Sequence, residues 1–286
     1  MNWTPRRERF RALLAGERCV HPGSVYDPLT ARMAEDLGFE VGMFAGSTAS
    51  LTVLGAPDII LLTLTEFAAQ ALRINRATGM PLLVDADHGY GNALNVKRTV
   101  EELETAGVAA LSIEDTVLPQ PFGADGAQLT SVEEGVGKMR AALEGRQDPN
   151  LVIAGRTSAP RVTSTEDAIA RVTAYEAAGV DAIFVVGVQS RAQLEAISAA
   201  VSLPIILGGS AREVRGLDYL GGLGVRVALQ GHQPIMAAAQ AAYSTLKALK
   251  EGAQPEDLEN VPTGDFIKKY MNDADYRRQI SAYLEE

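Results

Sequence analysis

A four-residue pattern recurs along the chain: Leu37-Gly38-Phe39-Glu40, Thr78-Gly79-Met80-Pro81, Ala106-Gly107-Val108-Ala109, Ala178-Gly179-Val180-Asp181 and Leu223-Gly224-Val225-Arg226. In each, a glycine closes a stretch of helical character and hands over to a short apolar run. Glycine is favoured just past a helix C-terminus because, without a Cβ, it enters the left-handed conformation at no steric cost. The runs that follow, at 41–45, 82–84, 109–113, 182–186 and 225–229, are predicted strands, and runs at 19–25, 151–154 and 204–207 bring the number to eight. Amphipathic stretches at 64–76, 93–105, 132–144, 166–177 and 191–200 are predicted helices between them. Near-continuous apolar strands alternating with helices require a parallel sheet whose outer face those helices cover. Eight such units suit an α/β, (β/α)8 TIM-type barrel. An open doubly wound sheet is the alternative, disfavoured because no Gly-x-Gly-x-x-Gly follows the first strand.

One barrel domain spanning 1–286 is expected, with 252–286 as a C-terminal helical extension. The apolar residues Phe266, Ile267, Tyr270, Met271, Tyr276, Ile280 and Tyr283 give that extension a face that must bury against something, and a neighbouring subunit is plausible. The formal net charge of −10 argues against nucleic-acid or anionic-membrane partners, which need a basic surface. A small-molecule substrate remains. The single Cys19 excludes an internal disulfide, and its surroundings make it a buried apolar filler, so reducing cytoplasm fits. No secretory h-region opens the chain, and no apolar run approaches the roughly 20 residues of a membrane helix.

Barrel enzymes place their chemistry at the C-terminal ends of the strands. Those ends read Ser47 after the second strand, Asp85, Asp87 and His88 after the third, and Glu114 and Asp115 after the fourth. Arg156 follows the fifth, Gly208-Gly209-Ser210 the seventh and Gly231-His232 the eighth. On an extended chain Asp85 and Asp87 point to one side, because strand side chains repeat with period two. With Glu114 they form an oxygen-rich corner of the kind Mg²⁺ takes, some ligands acting through water. Solvated strand ends are also polar, so the case rests on three carboxylates gathering with an arginine and a histidine. Arg156 suits a bidentate grip on a carboxylate or phosphate, or else a structural ion pair within the acidic cluster. Ser47 lies in a small-residue turn that forms either an anion nest or an ordinary helix cap. His21 falls in the first strand, His88 suits a hydrogen bond to a metal-ligating carboxylate, and His232 suits donation to a substrate carboxylate or proton transfer.

Taken together, Val25-Tyr26-Asp27-Pro28-Leu29-Thr30-Ala31-Arg32, Gly46-Ser47, Asp58, Asp85-Ala86-Asp87-His88-Gly89-Tyr90-Gly91, Ile113-Glu114-Asp115 and Arg156-Thr157 resemble the isocitrate lyase and phosphoenolpyruvate mutase superfamily over essentially the whole barrel. Within it the pattern is most similar to the bacterial oxaloacetate decarboxylases, of which a histidine corresponding to His232 is a distinguishing feature. The resemblance implies that Asp85 binds Mg²⁺ (or Mn²⁺) directly, with Asp87, Glu114 and Asp58 nearby and partly acting through water. It also implies that Ser47, Arg156 and His232 contact the substrate, Arg156 and His232 as the catalytic pair. The activity so implied is that of a carboxy-lyase: Mg²⁺-dependent decarboxylation of oxaloacetate to pyruvate and CO₂ through a metal-stabilised enolate. Homotetramers with an exchanged C-terminal helix, as dimers of dimers, are common in the superfamily and would explain the apolar tail.

Departures narrow the choice. The superfamily's lyases carry a catalytic cysteine in a loop after the fourth strand, where this chain reads Leu118-Pro119-Gln120-Pro121-Phe122-Gly123-Ala124-Asp125-Gly126. Cysteine-dependent cleavage of isocitrate or methylisocitrate is therefore not expected. The loop also holds no Lys or Arg, which counts against mutase or hydrolase chemistry on phosphorus. Where Arg-Thr-Asn is usual the chain has Arg156-Thr157-Ser158, and it has Gly208-Gly209 where the decarboxylases carry a tyrosine. The alternatives are a Mg²⁺-dependent C–C lyase or hydrolase on another 2-oxo or 2-hydroxy dicarboxylate, as in 2,3-dimethylmalate lysis, and a phosphoenolpyruvate mutase- or hydrolase-like activity.

Overall fold

Eight parallel strands pair in chain order in the computed structural model, which describes residues 1–285. They are β1 (Gly23–Ser24), β2 (Gly42–Phe44), β3 (Leu82–Asp85), β4 (Ala110–Glu114), β5 (Val152–Thr157), β6 (Ala182–Val186), β7 (Ile205–Gly208) and β8 (Val225–Ala228). The ring closes just before β1: Val20 pairs with Val227, its N–H donating to Arg226 O at 3.0 Å while Ala228 N donates to Val20 O at 2.9 Å. The first strand is shorter than the apolar run at 19–25 suggests. Pro22 has no N–H to give the ladder, so pairing lapses between Val20 and Gly23. Among the recurrent glycines, Gly38, Gly107, Gly179 and Gly224 adopt φ of 83°, 86°, 99° and 78°. Gly79 does not, because the helix Leu64–Ala77 has already ended in extended Thr78, and the Gly79 N–H is bound to Glu35 Oε1 at 2.8 Å.

Strand alternation divides the core in two. Leu82, Val84, Leu111, Ile113 and Ile153 face outward to the helices, whereas Leu83, Ala110, Val152, Ala154, Ala182 and Phe184 fill the barrel interior. Phe10 and Leu14 of the helix Thr4–Ala15 join the interior group and seal its lower end. Buried Arg7 fastens that helix by donating to Val108 O, Glu104 O and Asp148 Oδ2 at 3.0, 2.7 and 2.8 Å. With the bottom plugged, the C-terminal mouth is the end left open for chemistry.

The loop after β4 is a pinned ribbon. Thr116 pairs antiparallel with Leu129, Val117 N donates to Gln128 O at 2.8 Å, and Phe122 at the tip is fully exposed. The C-terminal apolar residues do not form one continuous helix. Asn272, at φ 57°, separates the helices Gly264–Tyr270 and Asp273–Leu284, and of their residues only Tyr270 is buried. The helix Gln233–Lys250 also buries none of its residues and leaves Met236, Tyr243 and Leu246 exposed. Among the described residues no helix is long and apolar enough to cross a membrane.

Candidate active site

The inward-facing positions at the strand ends converge by register. Asp85 of β3 stands opposite Ser112 of β4, Glu114 of β4 opposite Arg156 of β5, and Arg156 opposite Phe184 of β6. Arg156 bridges the two acids: it donates to Asp85 Oδ2 and lies 3.0 Å from Glu114 Oε2, with its guanidinium 5.4 Å from the Phe184 ring. Asp85 Oδ1 accepts from Ser112 Oγ and from the Asp87 N–H, both at 3.2 Å. Asp85 and Asp87 do meet, but not by strand alternation. β3 ends at Asp85, and Asp87 is left-handed at φ 48°, a conformation Asp tolerates, so a turn brings its side chain back. The Asp87 carboxylate packs against Gly46, where any Cβ would lie 2.5 Å from its Oδ2.

Four carboxylates share one guanidinium here. Burial first, and then repulsion from Asp85, Glu114 and Asp58, pushes the Asp87 carboxyl well above its usual range, with Arg156 opposing. Glu114 is raised mainly by burial against the pull of Arg156, and Asp58, at the lip, by partial desolvation and by Asp85. Arg156 is held charged by Asp85, Glu114 and Asp87 although burial alone would lower its pKa. This surplus of buried hard-oxygen donors fits a divalent cation. Among the described residues no three His, Cys, Asp or Glu side chains stand ready as a complete ligand set. Mg²⁺ does not need one, since it usually takes one or two carboxylates and keeps several waters.

Asp58, Asp85, Arg156, Ser47 and His232 line one cavity of about 570 Å³ in the mouth, with Asp87 and Glu114 buried beneath it. His232 sits at the N-terminal end of the helix Gln233–Lys250, its Nδ1 2.9 Å from Ser24 Oγ; burial lowers its pKa while Asp85 opposes. His21 is bound through Nδ1 to Ala228 O at 2.7 Å. His88 makes no hydrogen bond to a metal-site carboxylate: its buried Nδ1 has no partner, and burial with nearby Lys138 lowers its pKa to about 4. Asp115, next to Glu114 but on the opposite face of the strand, is structural. Its Oδ2 accepts from Arg171 Nη1 at 3.0 Å and from the Tyr175 hydroxyl at 2.7 Å, and Arg171 also donates to Thr130 O, pinning the base of the loop.

Sequence reasoning did not single out Ser24, Phe184, Lys138 or Arg171. Arg171 had a signal, since Asp167, Arg171 and Tyr175 share a helix face at spacings of four; the others had none. A groove of about 550 Å³ beside Arg9 and Arg18 offers no comparable chemistry, because Arg9 is bound to Gly79 O and Arg18 to Glu40.

A (β/α)8 barrel with an acidic, arginine-bridged mouth at the C-terminal ends of its strands places the chain among the barrel enzymes that carry their chemistry at that face. The family model described as phosphoenolpyruvate phosphomutase matches residues 10–250, and the chain belongs to this family within the isocitrate lyase and phosphoenolpyruvate mutase superfamily. It is 59% identical over 285 residues to an oxaloacetate decarboxylase of Bradyrhizobium sp. (strain BTAi1 / ATCC BAA-1182), covering 100% of this chain and 99% of the relative. Among solved structures, phosphoenolpyruvate phosphomutase from Streptomyces platensis subsp. rosaceus superposes with a TM-score of 0.87 at 26% identity, covering 97% of this chain and 99% of that one. A phosphonopyruvate hydrolase in complex with oxalate and Mg²⁺ superposes at 0.83, also 26% identical, covering 98% and 99%.

Proposed function

We propose that the protein is a divalent-metal-dependent oxaloacetate decarboxylase, producing pyruvate and CO₂. The observation that carries this reading is the joining, in one mouth, of the Asp85, Asp87 and Glu114 corner with Arg156 and, across the cavity, His232. The name of the 59% identical relative and the Mg²⁺ complex of the structural neighbour support it. Asp85 would hold Mg²⁺ or Mn²⁺, with Asp87, Glu114 and Asp58 around it. When bound, the ion supplies Lewis-acid stabilisation of negative charge developing on the substrate's C2 carbonyl oxygen.

The protein's own groups supply the rest. Breaking the C3–C4 bond releases CO₂ and leaves its electron pair on the C2–C3 unit, which takes up a proton at C3 to give pyruvate. Arg156, rigid between two carboxylates and over Phe184, keeps a fixed positive charge beside the oxygen that gains charge. Ser47 orients the anionic substrate from the wall formed after β2. If Ser24 Oγ–H donates to His232 Nδ1, the neutral ring carries its proton on Nε2 and presents it to the cavity. In that state it can hydrogen-bond the departing carboxylate or deliver a proton to C3. The pinned ribbon 116–131 would fold over the mouth to exclude water. The reading needs no covalent nucleophile, in keeping with a loop free of Cys and Lys.

The exposed apolar faces of Gln233–Lys250 and Asp273–Leu284 suit packing against a second copy of the chain, and a homotetramer built by helix exchange accounts for them. The functional test is incubation with oxaloacetate and Mg²⁺, with the protein-free metal-catalysed rate subtracted. Pyruvate and CO₂ in equal amounts, lost in His232→Ala, are expected; acetate with oxalate, or no turnover, would overturn the proposal.

A further inference from the structure

The cavity has two charged ends, and the chemistry above uses one. In a closed ring of eight strands β7 lies four positions from β3, so the loop after β7 faces the acidic corner across the mouth. That loop brings Ser210 and Arg215 to the cavity wall on the side of His232. Arg215 is exposed and forms no ion pair among the described residues, whereas Arg156, the other arginine of the cavity, is committed to Asp85 and Glu114. The loop around it is anchored. Val214 is 1% exposed, its N–H donates to Ala211 O at 3.0 Å, and Glu213 O accepts from Arg191 Nε at 2.9 Å. β7 ends at Gly208 and Gly209 follows it, and neither puts a side chain between this loop and the mouth.

The geometry points to Arg215 as a specificity-determining residue that receives the second carboxylate of a dicarboxylate substrate, the one remote from the acidic corner. This inference rests on the decarboxylase reading for which carboxylate is meant, and on charge for the rest. A four-carbon 2-oxo dianion laid across the mouth has one carboxylate and its carbonyl at the acidic corner. The other end then faces the loop after β7, where Arg215 lines the cavity wall away from the acidic corner that holds Arg156. The residue acts on binding. The carboxylate it holds keeps most of its negative charge until late in bond breaking, so the attraction is common to the bound ground state and the transition state and its loss shows in KM instead of kcat.

The test compares wild type with Arg215→Gln and Arg215→Lys in the presence of Mg²⁺. Arg215→Gln should raise KM for oxaloacetate about tenfold or more with kcat held within about threefold, and Arg215→Lys should recover part of the loss. In calorimetric titrations wild type should bind malate, a dicarboxylate, more tightly than lactate, which lacks the second carboxylate, and Arg215→Gln should lose that preference. An unchanged KM and an unchanged malate-to-lactate ratio in Arg215→Gln would overturn the inference while wild-type turnover left the decarboxylase reading standing. If wild type does not turn over oxaloacetate, that reading fails, and the malate-to-lactate ratio still decides the role of Arg215.

Discussion

Replacing Gly46 with alanine adds one methyl group and tests whether the position of Asp87 matters for catalysis. Gly46 opens the short helix Gly46–Ala49, and its backbone accepts an L-residue without strain, so the effect comes from contact alone. The new Cβ would sit 2.5 Å from Asp87 Oδ2, 2.8 Å from Oδ1 and 2.9 Å from Cγ. Relief to an ordinary contact of 3.4 Å moves the carboxylate by about 0.9 Å. It cannot swing freely, because Asp87 is buried and its backbone is bound on both sides, N–H to Asp85 Oδ1 and C=O to the Glu114 N–H at 2.8 Å. A displacement of about 1 Å at a reacting centre costs up to 10²-fold in rate, or about 2.7 kcal/mol of barrier. Overpacking should also lower stability by about 1–3 kcal/mol. The assay is kcat/KM for oxaloacetate alongside Mg²⁺ affinity by calorimetry and a thermal melt. Gly46→Ala should remain folded, bind Mg²⁺ more weakly and lose one to two orders of magnitude in kcat/KM. A folded variant with wild-type Mg²⁺ affinity and rate would show that Asp87 has no demanding position in the site.

The Ser24 hydroxyl orients His232, so Ser24→Ala should lower kcat/KM by roughly fivefold, the value of one hydrogen bond of about 1 kcal/mol, and a pH–rate profile should show the altered titration of the ring. Arg171→Met strands the fully buried Asp115 carboxylate with only Tyr175 as partner, a loss of about 3–5 kcal/mol that should depress Tm by roughly 10 °C. Adding Asp115→Asn should restore part of that loss; if it does not, the ion pair is not the cause. His88 titrates near 4 in the fold against about 6.5 unfolded, so below pH 6.5 the unfolded chain binds the extra proton. Its contribution to stability is therefore complete above pH 6.5 and falls as pH drops toward 4, by about 1.4 kcal/mol per pH unit at most. The raised Asp87 and Glu114 carboxyls act in the opposite sense, since they hold protons more tightly when folded and favour the fold at low pH. Comparing urea unfolding of wild type and His88→Asn from pH 7 to 4 isolates the histidine: equal slopes would refute its burial as a neutral ring.

The fold was legible because its determinants are local and repeated. Glycine junctions, apolar runs and helical faces each report on neighbouring residues, and eight of them leave few topologies. Where reading failed, a nearby residue overrode the pattern: Pro22 cut the first strand short, and Thr78 ended a helix before Gly79 could. The convergence of Asp85, Glu114 and Arg156 was readable because strand ends are fixed by strand number and alternation by period two. Asp87 does lie beside Asp85, but a left-handed turn and not an extended strand returns it there. Ser24, Phe184 and Lys138 were invisible because their roles depend on contacts between distant segments, as in Lys138 Nζ donating to His88 O at 3.1 Å. The dual engagement of Arg156 was posed as an alternative between ligand grip and ion pair, and only cross-strand register showed that it bridges two carboxylates while lining the cavity.

The central claim is that a divalent ion held by the Asp85 corner drives oxaloacetate decarboxylation. Its most direct test follows pyruvate release from chelator-treated wild type and Asp85→Ala during a Mg²⁺ titration, with the protein-free metal rate subtracted, while calorimetry reports Mg²⁺ binding on the same samples. Wild type should be inactive without metal and regain turnover along its binding isotherm, and Asp85→Ala should neither bind Mg²⁺ in that range nor release pyruvate above the protein-free rate. Undiminished turnover in metal-free buffer, or full Mg²⁺-dependent turnover by Asp85→Ala, would contradict it.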